Sequence, residues 1–150
     1  ARNRRSDSAA AAVQAARNAR AGELKPPAHV SLSVAARKFW PRIIANRARD
    51  RWNELDLTNA AELARMFADI ERLRAIIAAE GDIVRGKPHP AHKLLESTGR
   101  RAISLSRVLH VHPEATEGRA RDGGNALQQE QQARTAARVD DDLIPGARLQ

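Results

Sequence analysis

The residues with the most suggestive chemistry lie between 81 and 87. Gly81-Asp82-Ile83-Val84-Arg85-Gly86-Lys87 fits GxxxxGK, a spacing whose backbone N–H groups and lysine can cradle nucleotide phosphates. A working phosphate loop also needs a Ser or Thr next, for magnesium, and a strand before it. Position 88 is Pro, which supplies no hydroxyl and opposes the helix register, and the segment follows a helical pattern. Nucleotide hydrolysis is therefore not expected. His89 and His92 stand at i, i+3, and His110 and His112 at the far end of the same predicted helix. The sequence arranges no third carboxylate or thiolate ligand with either pair, so they read as helix-end or surface histidines. Ser104 and Ser106 share that helix with His110 but have no orienting partner for nucleophilic chemistry. GxSxG, HExxH and DxDxDG are absent. The reading assigns no catalytic residue, no metal ligand and no cofactor.

What remains is charge. The 150 residues carry 26 Lys and Arg against 18 Asp and Glu, a net charge of +8. Residues 1–25 and 26–55 each hold six basic and two acidic side chains, which together equal that whole excess. Residues 56–81 hold three basic and five acidic groups, 82–112 six and two, and 113–150 five and seven. Most of the bases are Arg, whose planar fork donates two parallel hydrogen bonds to a phosphate. Aromatic residues are only 3%, too few for the stacking platforms of a single-strand binder, so duplex DNA gripped through its phosphates is the expected polyanion. Cysteine is absent, which excludes disulfides, Cys-ligated zinc and a thiol nucleophile. No apolar run approaches the ~20 residues of a membrane span. Ala1-Arg2-Asn3-Arg4-Arg5 precedes no apolar stretch and reads as no secretory signal, and Ala in place of Met reads as processing or trimming. The composition thus points to a soluble protein of a reducing compartment.

These cations must be positioned by helices. Residues 1–25 are Ala- and Arg-rich and read as a fraying basic helix or a disordered arm, closed by Lys25-Pro26-Pro27. Ser31-Leu32-Ser33 offers an N-cap for a helix over 33–52 that Pro41 kinks or restarts. Its stripe is Ala36, Phe39, Trp40, Ile43, Ile44, Ala48, Trp52 and Leu55, which assigns both tryptophans to the core. A helix over 58–80, capped by Thr58 or Asn59, carries two apolar stripes. One is Leu63, Met66, Phe67, Ile70, Leu73 and Ile77. The other is Ala60, Ala64, Ala68, Ala75 and Ala79. A small chain has little to cover a second face except another copy of itself, so homo-oligomerisation is expected through the alanines. A short connection over 83–88, with a strand pair, leads to a helix over 90–110, and the two long helices should form an antiparallel hairpin. Beyond 113 the pattern dissolves: Asp122-Gly123-Gly124-Asn125 reads as a linker, 126–139 as a weak helix, and Asp140-Asp141-Asp142-Leu143-Ile144 as an acidic cluster with a short apolar docking motif.

One ordered series of features now stands out. It runs Ser33-Val34-Ala35-Ala36-Arg37-Lys38-Phe39-Trp40, then Leu55-Asp56 opening a long helix, then Gly81, His89-Pro90-Ala91, and Leu105 to Pro113. Over about residues 31–117 it resembles phage terminase small subunits of the group called the P27 family. That group ends its second long helix in a Leu-Gly-Leu-Thr-Pro-like sequence; here the Gly and Thr are replaced by His110 and His112.

The resemblance implies an all-α, non-catalytic subunit that forms rings of on the order of nine copies. It further implies recognition of viral duplex DNA, and recruitment and regulation of the large terminase ATPase and nuclease, in the host bacterial cytoplasm. The expected layout is a basic flexible arm and linker over 1–30, a helical DNA-binding head over 31–55, resembling a helix-turn-helix, an oligomerisation hairpin over 56–112, and a flexible tail over 113–150. Arg37, Lys38, Arg42, Arg47, Arg49 and Arg51 are the expected phosphate contacts of the head. Arg17 and Arg20 on the arm, and Arg85 and Lys87 on the loop, are the further DNA candidates. Two other readings remain: a dimeric basic helical DNA-binding transcriptional regulator, and a helical adaptor whose basic face meets an acidic protein.

Overall fold

Pro41 sets the path of the head. A proline has no N–H to give the carbonyl one turn back, so a helix that reaches it must stop or start again. The computed structural model describes residues 9–112 and 121–142, and in it the chain starts again. After α1 (Ala9–Arg20), helix α2 is only Val34–Arg37, with Ser33 as its N-cap. The Ser33 hydroxyl oxygen accepts the Ala36 N–H at 3.2 Å. Helix α3 (Trp40–Ile44) then holds Pro41 in its first turn, where the missing donor costs nothing. The single helix expected over 33–52 is therefore two short helices followed by a 3₁₀ turn at Arg49–Arg51. Leu55, placed on the buried stripe by its spacing, is exposed.

Helix α4 runs Glu54–Glu80, about 40 Å at 1.5 Å per residue. It begins four residues before the expected cap. The cap is Asn53, whose side-chain oxygen accepts the Asp56 N–H at 2.8 Å, and Glu54 and Asp56 put negative charge at the positive end of the helix. Thr58 lies inside the helix, its hydroxyl donating to the Glu54 carbonyl. Strands β1 (Ile83–Val84) and β2 (Lys87–Pro88) pair antiparallel and lead to α5 (Ala91–Val108). The two long helices are antiparallel, as expected. At one end Arg47 joins Asp56 to the Leu109 carbonyl, and at the other His89 joins Glu80.

Helix α5 closes in a Schellman turn. The His110 N–H donates to Arg107 and the Val111 N–H to Ser106, both at 3.0 Å, with His110 at φ 55°. This is where the resembled family carries glycine. The turn keeps the left-handed geometry although His lacks glycine's freedom.

Head and hairpin share one core. Leu32, Ala36, Trp40, Ile43 and Trp52 pack on Ala60, Ala61, Leu63, Ala64, Met66 and Ile70 of α4 and on Ala102 and Leu109 of α5. The Phe39 and Phe67 rings lie 5.6 Å apart across the same seam. A boundary at 55/56 runs through this core. The alanine stripe divides here. Ala60 and Ala64 are 0% exposed inside the chain's own core and Ala68 is half-buried against it, while Ala75 and Ala79 are exposed. Ala60 and Ala64 therefore serve the protomer's interior and present no surface to a neighbour.

The last described element, α6 (Arg121–Asp142), includes Asp122-Gly123-Gly124-Asn125 within its helical backbone. It packs along α1, and that packing offsets the helix cost of the two glycines. The arm and tail read separately in sequence thus meet in space. Two outcomes are expected from these placements. His110→Gly should stabilise the fold by about 0.5–1 kcal/mol by relieving the left-handed backbone, read as a raised urea midpoint. Ala64→Leu should cost about 1–3 kcal/mol by overfilling the core; an unchanged midpoint would place Ala64 at a surface instead.

Candidate nucleic-acid interface

The GxxxxGK segment is a β-hairpin. Arg85 and Gly86 have φ of 53° and 75°, so they form the two central residues of a tight turn with the sign of the I′ class. Ile83 faces Pro88 and Val84 faces Lys87. The segment is thus a short antiparallel ladder whose first N–H, that of Gly81, closes α4 on the Ile77 carbonyl, and it lacks the strand-to-helix form of a phosphate loop. What the segment does present is two exposed cations, Arg85 and Lys87, at a protruding tip.

The histidines beside it are structural. His89 is buried, and its Nδ1 accepts the Ala91 N–H at 3.0 Å, capping α5. The ring proton is thereby placed on Nε2, which donates to a Glu80 carboxylate oxygen at 3.0 Å. His92 Nε2 lies 3.1 Å from Asp82. Each histidine thus has the carboxylate partner that sequence spacing did not reveal, because the hairpin folds position 80 back onto 89 and 82 onto 92. Among the described residues no group of three or more His, Cys, Asp or Glu could hold a metal ion.

The head's six bases separate by role. Lys38 and Arg42 are exposed, and Arg37 is exposed with its guanidinium on the Leu32 carbonyl at 3.3 Å. Arg51 is also exposed, though its carbonyl accepts from Arg47. Arg47 is committed to the fold. It lies 4.6 Å over the Trp52 ring, pairs with Asp56 at 3.1 Å and donates to the Leu109 carbonyl at 3.0 Å. Arg49 is half-buried, its guanidinium on the Gly22 carbonyl at 2.7 Å and its backbone N–H on Glu130 at 2.8 Å. Arg47 is thus an internal clamp with three protein acceptors, while the Arg49 guanidinium gives one hydrogen bond to the protein.

Helix α3 has five residues, two of them, Trp40 and Ile43, buried. It is shorter than the recognition helix of a helix-turn-helix, and beside it Arg37, Lys38 and Arg42 form an exposed cationic corner. Arg17 and Arg20 are exposed on α1. Asp140, Asp141 and Asp142 occupy the end of the α6 backbone, and Leu143 and Ile144 lie outside the described residues.

The described residues are mostly helical, joined by one two-stranded hairpin, and carry exposed cations on α1, the head, the hairpin tip and α5. The chain matches the Hendrixvirinae small terminase family over residues 1–150. It is also 35% identical to the terminase small subunit of Enterobacteria phage HK97, over 93% of this chain and 92% of that protein. The chain belongs to the Hendrixvirinae small terminase family. The resemblance carried by residues 31–117 therefore extends to both ends of this small terminase chain. Among its described residues no helix is long and apolar enough to cross a membrane.

Sequence reasoning missed two sets of residues in it. One is Lys93, Arg100 and Arg101, exposed on α5, whose signal was the basic excess of 82–112. The other is the buried pair Asn18 and Glu130, 3.4 Å apart, for which no local pattern gives notice. Arg47→Ala should destabilise the chain by about 1–3 kcal/mol through its lost acceptors and ring contact, whereas Arg42→Ala should leave the melting temperature unchanged and weaken duplex affinity. Paired melting and binding curves separate the two.

Proposed function

We propose that this small terminase chain is the non-catalytic DNA-recognition subunit of a phage genome-packaging machine. Copies of the chain assemble into a ring and bind viral duplex DNA through clustered Arg and Lys. The ring recruits and regulates the large terminase ATPase and nuclease in the host cytoplasm. The observation that carries this reading is family membership along the full chain, joined to a relative named as a terminase small subunit. The outward cations Arg37, Lys38 and Arg42 supply phosphate contacts, with Arg17, Arg20, Arg51, Arg85 and Lys87 adding to them. Repetition around a ring multiplies weak contacts into avidity. The acidic segment Asp140-Asp141-Asp142-Leu143-Ile144 is the proposed dock for the large subunit.

The geometry supports a specific subunit contact. The head covers the first half of the α4 alanine stripe, and its second half, Ala75 and Ala79, is open. Small side chains there allow a neighbouring helix to approach closely. The test is absolute mass by light scattering. With a 16.5 kDa chain, a ring of about nine copies would weigh about 150 kDa. Ala75→Glu with Ala79→Glu should lower that mass while leaving the melting transition in place. A wild-type mass of two chains would instead favour the dimeric DNA-binding regulator.

A further inference from the structure

The outward face of α5 has no role in the reading above, and its charge differs from that of its partner helix. On α4 every arginine has a carboxylate one turn before it. Arg65 pairs with Glu62 and Arg74 with Glu71 at 3.1 Å, and Arg72 with Asp69 at 3.2 Å. That helix is neutralised along its exposed side. Helix α5 carries Lys93, Arg100, Arg101 and Arg107 against a single acid, Glu96. Glu96 lies 3.3 Å from Arg100, so within the helix one acid offsets one of four bases. Lys93 and Arg101 have no ion pair among the described residues.

The orientation of α5 is fixed by its buried side. Ala91, Ala102 and Leu109 face the core, so Lys93, Arg100 and Arg107 are held outward. They recur every seven residues, two helical turns, about 10.5 Å apart along the axis. That is roughly the rise of three base-pair steps at 3.4 Å each. Helix α5 also links the two cation groups that sequence reading left separate. Its start follows directly on Arg85 and Lys87 of the hairpin tip. At its other end, the Leu109 carbonyl that closes α5 accepts from Arg47, which sets the head beside that end of the helix.

We propose that the outward face of α5 is a duplex-DNA backbone track, with Lys93, Arg100 and Arg107 as its phosphate-contacting residues. It extends the candidate phosphate contacts from the hairpin tip along the length of α5. This inference rests on the DNA-binding reading above and assigns it a surface distinct from the head. Glu96 acts within the track as a competitor that holds part of the Arg100 charge.

The test uses the full chain in its own assembly state and a short duplex followed by fluorescence anisotropy across a salt series. Replacing Lys93, Arg100 and Arg107 together by Ala should weaken binding at least about tenfold and flatten the salt dependence by about one unit of slope per lost phosphate contact. Glu96→Gln should tighten binding about threefold. Glu71→Gln on α4 makes the same change in net charge and also frees an arginine, and should leave affinity unchanged. The Glu96 comparison is a gain of binding, so misfolding cannot produce it, and it decides the matter if the triple variant changes mass.

Unaltered affinity and slope in the triple variant, with Arg42→Ala still weakening binding, would overturn the α5 track and leave the DNA-binding reading intact. Equal tightening by Glu96→Gln and Glu71→Gln would also overturn it, since net charge alone would then explain the effect. Wild-type chain that shows no salt-dependent duplex binding would remove both the track and the reading beneath it. In that case an acidic protein partner becomes the better occupant of the face.

Discussion

One guanidinium closes three elements on each other. Arg47 stacks over Trp52, pairs with Asp56 at the start of α4, and donates to the carbonyls of Arg51 and Leu109. Only an arginine can do this, because its planar fork reaches several acceptors while its face rests on a ring. The end of the head, the start of α4 and the end of α5 therefore converge at one residue. Arg37, Lys38 and Arg42 are in consequence carried on a head that is packed into the hairpin and does not hang from it. The cost of drawing this charge from water is met by acceptors on every side.

Alanine does a second job that hydrophobic patterning alone does not separate. A helix with two apolar faces must bury both, and α4 solves this in two halves. Over its first half, Ala60, Ala61 and Ala64 give a flat surface on which the head packs, Trp40 and Trp52 among it. Over its second half, Ala75 and Ala79 remain open. The same residue type thus serves a core and leaves an exposed surface, according to how far along the helix the head reaches.

Helices α1 and α6 are held by a polar latch. Glu130 is buried, and its carboxylate accepts from Arg134 at 2.7 Å and from the Arg49 N–H at 2.8 Å. Asn18 reaches the same carboxylate and also Asp50 at 2.8 Å. A buried carboxylate is tolerated because its oxygens are satisfied. The result places α1 and α6 together beside the 3₁₀ turn, so segments more than a hundred residues apart act as one unit. A polar interlock of this kind demands a defined geometry, where an apolar contact would permit several.

The sequence by itself determined the helices, because their signals are local. The Ser33 cap, the break at Pro41, the stripe of α4 and the end at Gly81 each depend on residues within a turn or two. It determined both tryptophans as core, since their spacing admits one face. It also carried the family, through an ordered series of short features that survives the loss of any one of them. Tertiary structure decided what each charge is for. Arg42 and Arg47 are alike in sequence, both in a basic stretch, yet one meets water and the other meets Asp56 and a carbonyl sixty-two residues away. His89 and Glu80 became partners only when a tight hairpin turned the chain back on itself. Glu130 found Asn18 only when two weakly patterned helices packed. The physical reason is common to all three: a helix forms from contacts between near neighbours, whereas the fate of a charged side chain depends on the solvent and acceptors that distant segments take away or supply.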